Sequence, residues 1–380
     1  MEKPVRLEQL ETIASTVVRE HAVDVDAQAR FPKEAISFLQ ESGYLGLLSS
    51  AQSGGMGLGL REAATIVERL ARECPSTAMI MCMHYCGVGL IEKLAKSEQA
   101  IPDSILKTLA SGQGITTLAF SESGSRSHFW APQSSATRKD DLIVLNAHKS
   151  WVTSANHATW YIWSSKPVEK KGASSLWLVP RKQSGLKIPD NYKGLGLRGN
   201  DSTPVLAEGV AIPESYRLGA DGSGFSLMME VVLPHFSVMS TACSIGIMEA
   251  TLRRSIDHVC STRLSHMDSS LADMPTIRAY LARMQIATDR SRCLWHDTLE
   301  AIESGRSDSM LRILECKATA AESALEVCSS AMRVCGGAAY RKDVGVERFF
   351  RDAQAANIMA PTTDLLYDFI GKAICGLDLF

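Results

Sequence analysis

A β-rich stretch near the middle of the chain, residues 115–163, separates two long regions of helical character. It contains short apolar runs with many β-branched and aromatic residues, a Gly/Ser loop at 121–127 and a polar turn at 138–141. Short strands divided by polar turns are typical of an antiparallel, barrel-like unit, whereas parallel strands would need helical crossovers between them. The chain therefore predicts a small β domain between helical blocks.

The regions on both sides of this stretch have the periodicity of amphipathic helices. Downstream, four segments have the length and the low proline content of bundle helices: 224–262, 270–304, 307–335 and 345–375. Such runs predict a four-helix bundle. We expect an α+β fold that is mostly α, with an N-terminal helical domain at 1–113, a middle β domain at 114–218 and the C-terminal bundle at 219–380.

The composition excludes several classes of partner. The 380 residues carry a formal net charge of −2, so no basic field is present to bind nucleic acid. No apolar run reaches the roughly 20 residues that span a bilayer, and the first residues carry acids without an apolar signal core. We therefore expect a cytoplasmic protein without nucleic-acid or membrane partners. Ten scattered cysteines, none in a CxxC pair, predict buried reduced thiols and no metal site.

One histidine interrupts the most apolar predicted helix, at 76–96. His84 follows an apolar run that extends from Ala78 to Met83. Because a helix that is apolar on all sides is buried between its neighbours, His84 has two interpretations. It is either a core histidine with both nitrogens satisfied or a residue that faces a pocket. We keep it as a tentative catalytic candidate.

Five short motifs resemble those of the acyl-CoA dehydrogenase superfamily, in the same order and over essentially the whole chain. Their counterparts are the TEPGAGSD flavin loop, the KxWITN strand, the G-M-R segment, QxxGG and VERxYRDA. Here they read FSESGSRS at 120–127, KSWVTS at 149–154, LGLRG at 195–199, RVCGG at 333–337 and VERFFRD at 346–352. We identify the chain as a divergent member of this flavoprotein superfamily.

The resemblance implies an FAD site. In this family a tryptophan lies against the isoalloxazine ring, small polar residues contact the ring, and a Gly/Ser loop holds the pyrophosphate. Family members usually complete the site across a subunit interface of the bundle, so a homodimer or homotetramer is implied. The candidate cofactor-binding residues are Phe120, Ser121, Ser127, Trp151 and Thr153, with Arg263, Arg333, Gly336, Gly337 and Thr362 from the bundle.

The chain departs from the family at the catalytic base. Most members remove the substrate α-proton with a glutamate whose position is occupied here by Ala360, and a minority use a glutamate at the position of Phe236. Neither side chain can accept a proton. Asp364 lies about one helical turn beyond Ala360 and is a weak candidate. Its other interpretation is a charge at a helix N-terminus.

The resemblance thus implies an FAD-dependent oxidoreductase that acts on an acyl thioester or related small organic substrate, with the standard base replaced. Ordinary dehydrogenation of acyl-CoA is expected to be weak or absent. Two alternatives remain open. One is a two-component monooxygenase that uses O2 and FMN or another reduced flavin from a partner reductase, because a monooxygenase branch of the family lacks the glutamate. The other is a catalytically silent flavin-binding partner subunit. A carrier protein is a further possible partner.

Overall fold

The computed structural model describes residues 7–97, 101–189 and 192–379. The chain divides into two compact units. The first contains the described parts of 1–64, 79–193 and 198–236, and the second contains 65–78, 194–197 and the described part of 237–380. The mostly helical α+β fold predicted from the sequence is confirmed, whereas the boundaries of the three predicted domains remain a prediction.

In the described part of the chain before the first strand there are six α-helices. They are α1 (Leu7–Ile13), α2 (Arg19–Gln28), α3 (Lys33–Glu41), α4 (Leu60–Ala71), α5 (Pro75–Lys96) and α6 (Asp103–Ala110). A π-helical turn at Ala14–Val18 joins α1 to α2. Ala29 ends α2 in the left-handed conformation, and Gly43 follows α3 in the same conformation, as residues that terminate helices commonly do.

The β part consists of two four-stranded sheets in the first unit. One has the order β1-β4-β5-β8 and the other the order β2-β3-β7-β6. Their strands are β1 (Thr116–Ala119), β2 (Ser135–Lys139), β3 (Leu142–Val152), β4 (Trp160–Ser165), β5 (Ser175–Pro180), β6 (Leu186–Lys187), β7 (Thr203–Pro213) and β8 (Arg217–Leu218). The sheets are open and share a buried apolar core, so they form a barrel-like unit without a closed barrel.

The pairing is antiparallel, as predicted, with one exception. Strand β1 pairs with β4 in parallel, with Thr116 opposite Trp160. A parallel pair requires a long connection, and here β2 and β3 supply it as they pass through the other sheet. In that sheet, the register of β3 against β7 shifts between Lys149 and Val152. This irregularity lies inside the KSWVTS motif.

The C-terminal region contains α7 (Gly224–Leu227), a π-helical stretch at Met228–Val232, α8 (Leu233–Ser261), α9 (Pro275–Glu303), α10 (Ser309–Cys335), α11 (Val346–Ile358) and α12 (Thr363–Ile374). Two two-residue strands, β9 (Arg263–Leu264) and β10 (Ser269–Ser270), join α8 to α9. The predicted helix at 345–375 is wrong in one respect, because it is divided into α11 and α12. The chain is already extended at Met359, and Pro361, which has no backbone N–H to donate, cannot continue the helical hydrogen bonds.

Within the described residues, two helical stretches are long and apolar enough to span a membrane by length and composition alone, Pro75–Lys96 and Gly224–Ser261. The expectation that no stretch would qualify is therefore corrected. However, 78% and 89% of their apolar windows are buried inside the protein, which is the pattern of core helices. None of the ten cysteines, all of which lie in the described residues, forms a disulfide; seven are buried, while Cys260, Cys293 and Cys375 are exposed.

Candidate functional site

The end of β3 presents an unusual tryptophan to solvent. Trp151 is 70% exposed, although the next two residues, Val152 and Thr153, are buried. Its φ of 55° is uncommon for any residue other than glycine. The register shift next to it turns the indole out of the alternation of the strand, as β-bulges do. A flat apolar face is thus available to a planar ligand.

The Gly/Ser loop at 121–127 is joined to the same strand by a buried ion pair. Lys149 is fully buried, and its Nζ donates to Glu122 Oε1 at 2.6 Å and to the Ser164 carbonyl at 2.7 Å. The backbone N–H of Ser150 donates to the Ser121 carbonyl at 2.8 Å. Burial lowers the pKa of Lys149 to about 8, against the opposing effect of the Glu122 carboxylate.

Glu122 is saturated with donors. Besides the ammonium, its carboxylate accepts the backbone N–H groups of Gln133 and Ser134 at 2.7 and 3.0 Å and the Ser134 hydroxyl at 2.6 Å. Burial alone would raise the pKa of Glu122, but the charge of Lys149 and these hydrogen bonds hold it below its ordinary value. The hydrogen bonds of the Glu122 carboxylate therefore hold the start of the loop in place.

Sequence reasoning missed Glu122 and Lys149 as structural members of the site, although both lie inside the quoted motifs. A signal was present in the alternation of β3. Lys149 shares the inward face with Ile143 and Leu145, and a charged residue on an inward face is buried only with a partner.

The other predicted residues of the first unit occupy two kinds of position. Ser121 and Ser127 are half-buried on the loop. Thr153 is buried, with its Oγ1 3.1 Å from Ser202 Oγ. Phe120 is buried beneath the loop and its ring stacks on that of Phe129, with centroids 6.2 Å apart. The structure therefore places Phe120 as a packing residue for the loop.

His84 lies in the core rather than at an open surface. The side chain is fully buried; its Nε2 lies 2.8 Å from the Leu45 carbonyl, and its Nδ1 lies 3.2 Å from the backbone nitrogen of Thr116. Because a carbonyl only accepts, Nε2 carries the proton and Nδ1 accepts from Thr116. Burial lowers the pKa of His84 to about 4. This geometry favours the core interpretation and argues against the tentative catalytic role.

In the second unit, the candidates for phosphate and adenosine contacts are exposed. Arg263 lies in β9 and forms an ion pair with Asp268 at 3.3 Å. Arg333, in the last turn of α10, stacks on the ring of Tyr280 at 4.9 Å. A Cβ added to Gly336 or Gly337 would meet no atom within 4 Å, so a ligand could approach the backbone closely at these glycines.

The segment that holds the family's usual base lies between α11 and α12. Ala360 is half-buried there, and Thr362 occupies the N-cap position of α12. Asp364 is exposed in the first turn of α12, which favours the interpretation as a helix N-terminal charge. Phe236 is buried near the start of α8, with 5% of its surface exposed. Ala360 and Phe236 themselves have no group that accepts a proton, and their equivalence to the family's base positions stays a prediction.

These features fit a flavin. In the first unit, the exposed indole of Trp151 suits a planar ring, and the fixed Gly/Ser loop suits an anion. The second unit by itself carries exposed arginines, the side chains that hold phosphate most readily. Fold and site together define a flavin-dependent oxidoreductase.

Comparison with known proteins gives the family. Models of the N-terminal, middle and C-terminal domains of acyl-CoA dehydrogenases match residues 6–113, 117–210 and 222–375. The chain belongs to the acyl-CoA dehydrogenase superfamily, and FAD is its cofactor.

Three relatives illustrate the similarity. A probable acyl-CoA dehydrogenase, fadE25, from Mycobacterium leprae is 27% identical over 368 residues, which are 96% of this chain and 93% of that protein. The cyclohex-1-ene-1-carbonyl-CoA dehydrogenase of Geobacter metallireducens is 26% identical over 376 residues, 98% of each chain. A solved glutaryl-coenzyme A dehydrogenase in complex with glutaryl-CoA has the same fold, with a TM-score of 0.90, 22% identity and coverage of 100% of this chain and 98% of that chain.

Proposed function

We propose that this protein is an FAD-dependent oxidoreductase of an acyl thioester or a related small organic substrate, in which the standard base is replaced and ordinary α,β-dehydrogenation of saturated acyl-CoAs is weak or absent. The observation that carries the proposal is the contrast between two places in the chain. The residues of the predicted flavin motif, including Trp151, are present, whereas Ala360 and Phe236 occupy positions where the resemblance predicts a proton acceptor. The relatives described above are named for acyl-CoA substrates, which supports a thioester as the substrate class.

The residues of this chain would divide the work as follows. FAD, when bound, supplies the acceptor for two electrons. Trp151 orients the ring system, and the Glu122–Lys149 pair holds the loop that contacts it. Removal of an α-proton needs a base within hydrogen-bond reach of that proton. An alanine methyl group at position 360 cannot take it, so we expect ordinary α,β-dehydrogenation of acyl-CoA to be weak.

Restoring the carboxylate tests this proposal. In Ala360→Glu, we expect saturated acyl-CoAs to bleach the bound FAD faster than in the wild type by about 10²–10⁴-fold, the usual contribution of a general base. Ala360→Gln is the matched control, because it adds the same volume without a proton acceptor. Rapid bleaching of the wild-type protein by the same substrates would contradict the proposal, and so would an FAD-loaded Ala360→Glu that gains nothing.

A second candidate function is supported by the same pair of substitutions. A monooxygenase that receives reduced flavin has no need of an α-proton base, so it accounts for the absence of a carboxylate at both Ala360 and Phe236. The retained flavin motif at Trp151 argues against a silent subunit, which has no physical need of it. The test is to reduce the protein-bound flavin anaerobically, add ¹⁸O₂ with candidate substrates, and analyse the products by mass spectrometry. Incorporation of ¹⁸O supports the monooxygenase, whereas formation of hydrogen peroxide alone argues against it.

We also propose a homo-oligomer, a dimer or tetramer, in which the exposed residues of the second unit contact the FAD of a neighbouring subunit. The support is the exposure of Arg333 and the open backbone at Gly336 and Gly337. Arg333→Ala should weaken FAD binding without lowering the stability of the apoprotein. Unchanged FAD affinity in an intact oligomer would remove Arg333 from the site.

A further inference from the structure

A buried lysine lies directly behind the segment that carries Ala360. Lys317, in the middle of α10, has 1% of its surface exposed and is one of the largest fully buried side chains. Its Nζ donates to three backbone carbonyl groups, those of Ala356 at 3.4 Å, Met359 at 3.1 Å and Pro361 at 2.8 Å. A single ammonium therefore contacts the residues on both sides of Ala360.

One of these carbonyl groups, that of Ala356, belongs to the last turn of α11, and those of Met359 and Pro361 lie in the turn that follows it. The last four C=O groups of a helix have no N–H partner within it, and α11 ends at Ile358. Pro361 contributes no N–H to the turn that follows. A positive charge at a helix C-terminus is favourable, because it meets both the free carbonyl groups and the negative end of the helix dipole. Lys317 thus supplies donors that the local chain lacks.

The other side of the turn is also held, but by a neutral contact. The Thr363 hydroxyl donates to Asn357 Oδ1 at 3.0 Å and closes the segment between α11 and α12. Burying an ammonium without a partner is costly, and a lysine that served only to fill space could be replaced by a methionine of similar shape. The three hydrogen bonds, of which the one to Pro361 is the shortest at 2.8 Å, instead indicate that Lys317 fixes the path of residues 356–361.

We propose that Lys317 is a positioning residue for the turn at 359–361 and fixes where the side chain at position 360 stands relative to the substrate. The inference rests on the proposed function, in which position 360 faces the reacting end of an acyl thioester. Lys317 touches neither substrate nor cofactor in this role. It acts through the backbone of the turn, so its removal should displace residue 360 while the fold remains.

The first test measures how accessible position 360 is and does not depend on catalysis. A cysteine is placed at the position with Ala360→Cys, and its alkylation by iodoacetamide is followed by peptide mass spectrometry, which separates it from the natural cysteines. Adding Lys317→Met should change the alkylation rate by about tenfold or more, since several hydrogen bonds to a charged donor are lost. Lys372→Met, which removes a partly exposed lysine of α12, is the matched control and should leave the rate unchanged.

The second test measures the rate of FAD bleaching by an acyl-CoA. The FAD bleaching gained in Ala360→Glu should fall by at least about tenfold when Lys317→Met is added, with FAD content and melting temperature checked in both proteins. If Ala360→Glu alone gains nothing, the proposed function fails while the alkylation test still decides the role of Lys317. An unchanged alkylation rate in a folded Lys317→Met protein overturns the inference. Should Lys317→Met not fold, Lys317→Gln carries the same two tests, because it keeps an N–H donor and should give a smaller change of the same sign.

Discussion

Replacing Lys149 by methionine should both destabilise the protein and weaken FAD binding. The ammonium is fully buried, and its removal leaves the Glu122 carboxylate without the contact at 2.6 Å. The Ser164 carbonyl also loses a donor. Removing one partner of a buried ion pair typically costs about 3–5 kcal/mol, which is a large part of the 5–15 kcal/mol that usually separates folded from unfolded protein.

The assay is equilibrium unfolding in urea, followed by tryptophan fluorescence, together with an FAD titration of the apoprotein. We expect a lower midpoint at unchanged slope for Lys149→Met, since a change of slope would indicate an altered unfolded state. FAD should bind more weakly because the loop at 121–127 loses its anchor. The double variant Lys149→Met/Glu122→Gln should recover part of the lost stability, as expected for directly coupled residues.

A loss below about 1 kcal/mol in Lys149→Met would refute this reasoning, because that is the range of exposed pairs. It would mean that the pair contributes no more than a surface contact. Unchanged FAD affinity in the destabilised variant would separate the two claims. The ion pair would then support the sheet without fixing the flavin loop.

Three further predictions concern single side chains. Trp151→Ala should change the stability of the apoprotein by less than about 0.5 kcal/mol, because the indole is exposed, yet it should weaken FAD binding measured by titration. The pKa of His84 falls from 6.5 to about 4 on folding, so the unfolded state binds more protons in this window and stability must fall as the pH drops through it. In His84→Gln, the free energy of unfolding measured in urea should depend less on pH between about 4 and 6.5, and the chemical step should be unchanged. The pKa of Lys317 falls from 10.5 to about 7, so stability rises with pH between these values, and Lys317→Met should remove up to about 1.4 kcal/mol per pH unit of that slope. If the stability of His84→Gln or Lys317→Met depended on pH in the same way as that of the wild type, the pKa shift assigned to that residue would be wrong.

The sequence by itself determined the succession of helical and β regions and the family. Helix and strand periodicities are local properties, so the central β stretch and the bundle helices could be predicted without knowledge of their neighbours. The cofactor motifs were equally readable, because Trp151 and the 121–127 loop each lie within a few consecutive residues. The prediction that Ala360 replaces the base also came from the position of that residue in a linear motif.

Tertiary structure alone decided what the buried polar side chains do. The partners of His84 are 39 and 32 residues away in the chain, and those of Lys317 are 39 to 44 residues away. A buried polar group is stable only where distant segments bring a donor or acceptor to it. A local sequence pattern does not specify which distant donor or acceptor will contact a buried polar group. For this reason His84 could be interpreted as a pocket residue from the sequence, and Lys317 was not noticed until the fold placed it behind Ala360.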